Sequence, residues 1–77
     1  MNVDILLFGQ LAEITGTKSI RLTEITGTKQ LADQLHKTYP ALSCQLYRIA
    51  INHILVSGDI DFEEDCTVAL LPPFSGG

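Results

Sequence analysis

The stretch Thr67-Val68-Ala69-Leu70-Leu71-Pro72-Pro73 decides the fold. Its first five residues are apolar or β-branched and predict a strand, and the two prolines end that strand because they lack a backbone N–H. A similar run, Val3-Asp4-Ile5-Leu6-Leu7-Phe8, lies near the start of the sequence and is closed by Gly9. If the two strands are neighbours and run parallel in the middle of one sheet, the segment between them forms a right-handed crossover.

The segment between these strands predicts one long helix and several short elements. Lys18–Leu22 alternates polar and apolar residues, as in a strand with one solvated face, and pairs with the first strand as a hairpin. Apolar residues recur at helical spacing from Thr28 to Tyr39, with Thr28 as the N-cap and Pro40 as the stop. The other predicted elements are a short helix at 10–16 with Gly16 as its C-cap, strands at 47–52 and 53–56 with Asn52-His53 as their turn, and an acidic turn at 63–65.

This order of elements predicts the α+β class, as a β-grasp (ubiquitin-like) mixed sheet with one main helix packed on one face. We expect residues 1–72 to form this domain and residues 73–77 to form an extended C-terminal Gly-Gly tail. The hexapeptide Glu13–Lys18 recurs letter for letter as Glu24–Lys29. Because the repeat does not continue, it does not indicate a solenoid.

Composition narrows the function classes. A chain of 77 residues is one domain and is too small for a deep active-site cleft. With 45% hydrophobic residues and a net charge of -4, it should fold and should avoid nucleic acid and anionic membranes, which leaves a basic protein surface as the expected partner. No apolar segment approaches the ~20 residues of a membrane span, and no CxxC motif is present. We expect a soluble, cytoplasmic protein in which Cys44 and Cys66 are reduced and buried.

The usual signatures of an enzyme site are missing from the sequence. His36 and His53 lack the spacing of metal ligands, and there is neither a nucleophile elbow nor a Gly-rich phosphate loop. The carboxylates between Asp59 and Asp65 match no calcium-binding loop and indicate a solvated acidic edge. The sequence therefore predicts no metal site and no permanently bound cofactor.

The ending Pro72-Pro73-Phe74-Ser75-Gly76-Gly77 carries the chemical prediction. The prolines project the tail away from the sheet, and the small residues after Phe74 let a terminal carboxylate enter a narrow channel in another protein. Transfer of that carboxylate to the α-phosphate of ATP gives an acyl-adenylate, which a sulfur nucleophile converts to a thiocarboxylate. We therefore expect Gly77 to be the reactive residue, and Phe74, Ser75, Gly76 and Gly77 to be the inserted segment.

Side-chain alternation also suggests where partners bind. If the main helix covers the Ile5 face of the sheet, then Phe8, Leu55 and Leu71 lie on the open face and form an apolar patch that marks an interaction site. The predicted partner interface consists of Phe8, Leu55, Leu71, Pro72, Pro73 and Phe74.

On these residues the sequence resembles the ubiquitin-like sulfur-carrier family, and within it the small subunits of molybdopterin synthase. The resemblance rests on Ile5–Glu13, on Ala50–Val56 and above all on the Pro-Pro-x-Ser/Thr-Gly-Gly ending in Val68–Gly77. One departure is Asp65-Cys66, where members of the family usually have Gly-Asp.

The resemblance implies a role and a set of partners. An E1-like adenylyltransferase uses ATP to activate Gly77, and a sulfur donor system then forms the thiocarboxylate. The tail inserts into the large subunit of molybdopterin synthase, which holds the catalytic pocket, and sulfur passes to cyclic pyranopterin monophosphate in molybdenum cofactor biosynthesis. Two carriers flank a dimer of large subunits, as a heterotetramer. The alternatives are a sulfur carrier for thiamine thiazole formation or tRNA thiolation, and a ubiquitin-like protein modifier.

Overall fold

The computed structural model describes residues 1–73, which form a five-stranded sheet and a long helix on one of its faces. The sheet is mixed and has the order β2-β1-β5-β3-β4. Its elements, in chain order, are β1 (Val3–Leu7), α1 (Gln10–Thr15), β2 (Ser19–Leu22), α2 (Thr28–Thr38), a 3₁₀ helix (Pro40–Cys44), β3 (Arg48–Ile51), β4 (Ile54–Val56) and β5 (Cys66–Leu71).

The two strands that decide the fold are neighbours at the centre of the sheet. β1 and β5 run parallel, with Ile5 opposite Val68 and Leu7 opposite Leu70. β2 pairs antiparallel with the outer side of β1, and β3 pairs antiparallel with the outer side of β5. The predicted β-grasp arrangement is confirmed, and the strand boundaries differ only slightly, since Phe8 lies just beyond β1 and Cys66 begins β5.

Alternate residues of the central strands build the core. Val3 and Ile5 of β1 and Val68 and Leu70 of β5 are fully buried on the face that α2 covers. Burial of each of these side chains contributes roughly 1.5–3 kcal/mol relative to leaving it exposed. They belong to one cluster with Leu7, Leu11, Ile25, Leu31, Leu35, Leu42 and Phe62. Among residues 1–73 no helix lies on the opposite face of the sheet, so this part of the chain has one core and one open face.

The start of α2 differs from the sequence prediction. Thr28 does not cap the helix; Gly27 is the N-cap, and it supplies no side-chain hydrogen bond. The Thr28 side chain is buried and its Oγ1 accepts a hydrogen bond from the backbone N of Ile60 at 2.9 Å. The prediction that Thr28 caps the first turn of α2 was wrong, because its hydroxyl is hydrogen-bonded to the loop after β4 instead. Gln30 reaches back instead, and its Oε1 accepts a hydrogen bond from the backbone N of Thr26 at 2.7 Å.

The buried hydroxyl of Thr28 is one of several hydrogen-bonding groups that hold the loop between β4 and β5 against the start of α2, and it leads to a prediction. Replacing Thr28 with the isosteric valine should lower the free energy of unfolding by about 1–3 kcal/mol, because the amide of Ile60 loses its acceptor. Thermal melts should show a fall of several degrees, since ~1 kcal/mol shifts the melting temperature of a domain this small by roughly 4–8 °C. Thr28→Ser keeps the hydroxyl and should melt closer to the wild type. Equal melting temperatures for Thr28→Val and Thr28→Ser would contradict this role of the hydrogen bond.

Pro40 ends α2 as predicted but also begins a 3₁₀ helix, Pro40–Cys44, that the sequence did not predict. Leu42 in this turn is fully buried in the core, so the turn covers part of the cluster. Cys44 at its end is exposed, and the prediction that it is buried was wrong. Cys66 is partly buried, and burial, with Asp65 and Glu64 nearby, raises the pKa of its thiol. The raised pKa favours the neutral thiol, which is the weaker nucleophile.

The repeated hexapeptide takes two different conformations. In the first copy Gly16 has φ +76° and forms the left-handed C-cap of α1, as predicted. In the second copy Gly27 is extended and buried, and a Cβ there would lie 2.7 Å from the carbonyl oxygen of Ile60. Because the two copies have the same sequence, their different conformations are determined by the tertiary contacts that each copy makes.

The β3–β4 turn and the start of β5 are joined by backbone and side-chain hydrogen bonds. Asn52 and His53 form the predicted turn, with φ +48° and +72°. The backbone N of Asn52 donates to the carbonyl of Thr67, and the amide N of Thr67 donates to Asn52 Oδ1 at 3.0 Å. At Asp65-Cys66, the departure from the usual Gly-Asp, Asp65 Oδ1 accepts a hydrogen bond from the backbone N of Asn2 at 2.8 Å. The hydrogen bond of Asp65 therefore attaches the start of β5 to the N-terminal segment.

Candidate functional site

The predicted reactive and inserted residues, Phe74, Ser75, Gly76 and Gly77, lie outside the described residues. The structure instead describes the point from which this tail starts. β5 ends at Leu71, and Pro72 and Pro73 follow it outside the sheet. Because β5 is paired with β1 on one side and β3 on the other, the tail starts from the middle of the sheet and not from one of its edges.

The open face carries an apolar row that crosses four strands. We use "apolar row" for Leu6, Ala69, Ala50 and Leu55, which are direct cross-strand partners in that order. The two leucines lie at the ends of the row and the two alanines between them, so the centre of the row is lower than its ends. Leu55 is 54% exposed, whereas Ala50 is only 5% exposed. The row is therefore a shallow trough with a large exposed side chain at the β4 end.

A second group of open-face residues lies beside the start of the tail. We call Phe8, Leu71 and Arg48 the tail-root cluster. Arg48 is the cross-strand partner of Leu71, and the backbone N of Phe8 continues the β1 ladder by donating to Leu70 O at 3.3 Å. Phe8 is 45% exposed and Leu71 is partly buried. The sequence predicted Phe8, Leu55 and Leu71 on this face, and the strand register places Leu55 and Leu71 there. That these residues form a partner interface stays a prediction, and Arg48 was not part of it.

The opposite end of the open face is polar. Asp4 and Arg21 are cross-strand partners and form an ion pair, with Arg21 Nε 2.7 Å from Asp4 Oδ1. The hydrogen bond from Arg21 holds the pKa of the Asp4 carboxyl below its usual value. Thr67 lies next to Asp4 in the same row. Both charged side chains are at least half exposed, so the pair contributes little to stability. The face thus changes from polar to apolar towards the tail.

The residue that starts the tail packs against the end of β1. Gly9, between β1 and α1, has φ +58°, and a Cβ at this position would lie 3.1 Å from Pro72 Cγ. Pro72 is partly buried by this contact, whereas Pro73 is exposed. Beside Phe8, between β1 and α1, lies a groove of about 590 Å³ whose lining includes Leu6 and Ala12. Pro72 therefore has a defined position next to the apolar residues of the open face.

The two histidines lie on different elements, His36 on α2 and His53 in the β3–β4 turn. His36 Nε2 is 2.8 Å from the hydroxyl of Tyr47, in an edge-on ring contact, and burial raises the pKa of that hydroxyl. His53 takes no part in this contact. Within residues 1–73 no three His, Cys, Asp or Glu residues are grouped so that they could hold a metal ion. In that same part of the chain, none of the helices has the length and hydropathy needed to span a bilayer.

Comparison with known proteins gives a family and a fold. The sequence model of the ThiS family matches residues 5–77. A Pyrococcus furiosus protein assigned as molybdopterin converting factor subunit 1 is 19% identical and superposes with a TM-score of 0.84, over 96% of this chain and 99% of that one. Small archaeal modifier protein 1 of Methanosarcina acetivorans is 24% identical with a TM-score of 0.83, over 99% and 96%.

A third solved structure is a protein–protein complex of subunits 1 and 2 of the molybdopterin-converting factor from Helicobacter pylori. Its matching chain is 24% identical, with a TM-score of 0.75 and full coverage of both chains. At these identities the superpositions establish the shared β-grasp fold, while the family match covers nearly the whole chain.

Proposed function

Because the chain belongs to the ThiS family of ubiquitin-like sulfur carriers, we propose that it is the sulfur-carrier subunit of a molybdopterin synthase, with Gly77 as the residue that bears the sulfur. The observation that carries this proposal is the position of Pro72-Pro73, which end the central strand directly beside an exposed apolar surface. If a partner binds the open face, a tail that starts at this point can extend directly into the partner and bring the reactive end to its active site.

The chemistry needs no catalytic residue of the domain itself. The Gly77 carboxylate attacks the α-phosphate of ATP, and pyrophosphate leaves. Hydrosulfide supplied by the donor system then attacks the acyl carbon and displaces AMP, which gives the thiocarboxylate. The thiocarboxylate sulfur bonds to a carbon of cyclic pyranopterin monophosphate as an oxygen substituent leaves that carbon with its bonding electrons. Water then cleaves the resulting thioester, which leaves a thiol on the pterin and restores the Gly77 carboxylate. The partners supply the pockets and the acid–base groups for each step.

The proposed partner in the last step is the large subunit of the synthase. The complex of subunits 1 and 2 from Helicobacter pylori supports a two-subunit assembly for a protein of this fold. We propose that the large subunit binds the apolar row and the tail-root cluster, and that two carriers flank a dimer of large subunits. The activating enzyme is proposed to be an E1-like adenylyltransferase, which handles the same tail in the earlier step.

Mass spectrometry tests the function directly. Incubation with the activating enzyme, ATP and a sulfur donor should make the carrier about 16 Da heavier, because sulfur replaces one oxygen of the carboxylate. The loaded carrier should then convert cyclic pyranopterin monophosphate to molybdopterin in the presence of the large subunit. Transfer of sulfur only to a thiazole synthase or to tRNA would assign the carrier to another pathway. Covalent attachment to lysines of other proteins, without any thiocarboxylate, would reject the proposal.

The role of the open face can be tested at two neighbouring residues. Leu55→Glu should weaken binding to the large subunit at least about 30-fold, because it puts a charge into the apolar row that the partner covers. Ile54→Glu is the matched control, since Ile54 is 67% exposed on the same strand but points to the opposite face. Both variants should stay folded, and calorimetric titration measures the difference. Equal affinities for the two variants would place the interface elsewhere.

A further inference from the structure

Arg48 is a cation in the apolar part of the open face. It is the first residue of β3, it is exposed, and it lies directly across from Leu71, the last residue of β5. Beyond it along the strand is Ala50 of the apolar row. A chain with a net charge of -4 thus presents a positive charge where its tail begins.

Within residues 1–73 this charge has no partner of opposite sign. The ion pair that the structure contains in this range joins Arg21 to Asp4 at the polar end of the open face. On the open face, the carboxylate of Asp4 is aligned with Thr67, at the start of β5, whereas Arg48 is aligned with Leu71 at its end. Arg48 is therefore available for an external anion.

The length of the tail limits which anion Arg48 can bind. Residues 72–77 span at most about 20 Å if fully extended, at about 3.3 Å per residue. A tail that is extended into a channel of the partner carries the Gly77 carboxylate away from Arg48 by most of this length, which is several times the ~4 Å reach of an ion pair. Arg48 therefore does not pair with the reactive end and acts at the docking surface.

Binding of a partner to the open face changes the solvation of the Arg48 side chain. A partner that covers Leu71 and Ala50 also removes water from the guanidinium of Arg48, and a charge that is left unpaired there carries a desolvation penalty that weakens binding. We propose that the large subunit carries a carboxylate, from Asp or Glu, at the mouth of its tail channel, and that Arg48 binds it with two parallel hydrogen bonds. The planar guanidinium suits this geometry better than an ammonium group does. This inference rests on the proposed function, because it takes the large subunit as the partner.

Titration of carrier variants with the large subunit tests the pair. Arg48→Gln and Arg48→Glu should each raise the dissociation constant about 30-fold or more, as expected when one member of a buried charge pair is removed. Arg48→Lys should recover only part of the loss. Lys29→Glu is the control for Arg48→Glu, because it makes the same change in net charge at an exposed position on α2 and should bind within about threefold of the wild type.

Two outcomes are decisive. If the wild type binds and both Arg48→Gln and Arg48→Glu bind as tightly as Lys29→Glu, the proposed ion pair is wrong while the proposed function stands. If the wild type itself does not bind the large subunit, the proposed function fails and the inference fails with it. Circular dichroism melts accompany each variant, and the exposed position of Arg48 at the start of its strand should leave them unchanged.

Discussion

Deletion of Gly77 should abolish sulfur transfer and leave the melting temperature of the domain unchanged. The truncated tail still ends in a carboxylate, but that group lies about 3.5 Å short of the position it would otherwise reach. A misplacement of about 1 Å already costs up to ~100-fold in a positioned reaction, so the loss should exceed that value. The sheet keeps all of its ladder hydrogen bonds, because β5 ends at Leu71.

The measurement combines the rate of thiocarboxylate formation, followed by the mass increase, with a thermal melt. Gly77→Ala is the matched variant, because it restores the length of the tail and adds only a Cβ. Loss of activity in both variants would show that the channel requires a residue without a side chain at this position as well as the full length. Normal transfer by the truncated carrier would reject Gly77 as the reactive residue.

Leu70→Ala should have the largest effect on stability. Leu70 is fully buried in the central strand, opposite Leu7, and truncation of such a side chain costs about 2–5 kcal/mol. A domain of 77 residues has a total stability of roughly 4–12 kcal/mol at about 0.05–0.15 kcal/mol per residue. Denaturation in urea should therefore show that a large part of the stability is lost, with a much lower midpoint.

The next residue supplies the contrast. Leu71 points to the open face and is only partly buried, so Leu71→Ala should cost much less stability than Leu70→Ala. Binding of the large subunit should show the reverse order among the folded variants, since Leu71 belongs to the tail-root cluster. If Leu71→Ala unfolded the domain as readily as Leu70→Ala, the open face would have to be a second core and not a docking surface.

Much of the fold was predictable because strands have a period of two. The alternation in Val3–Phe8 and Thr67–Leu71 assigned Ile5 and Leu70 to the core and Phe8 and Leu71 to the other face, and the small size of the chain left few arrangements for two central strands. Local patterns also predicted the C-cap at Gly16 and the Asn52-His53 turn, because positive φ angles favour particular residue types.

The features that were missed depend on contacts between distant segments. Thr28 has the type and position of an N-cap, yet its hydroxyl bonds to the backbone of Ile60, which no local pattern reveals. The two copies of the hexapeptide cannot be told apart by sequence, although Gly16 and Gly27 differ in conformation. Arg48 reads as an ordinary solvated residue of a strand. Only its register against Leu71 places it at the start of the tail.

The apolar row has a consequence for how the cell handles this protein. Leu6, Ala50, Leu55 and Ala69 come from four different strands, and Leu6 and Ala69 lie near opposite ends of the sequence. The surface exists only after the slow, long-range closure of the sheet is complete. An activating enzyme that binds this row therefore acts only on folded carrier. We expect unfolded or damaged copies, which lack the row, not to be adenylated and so not to consume ATP.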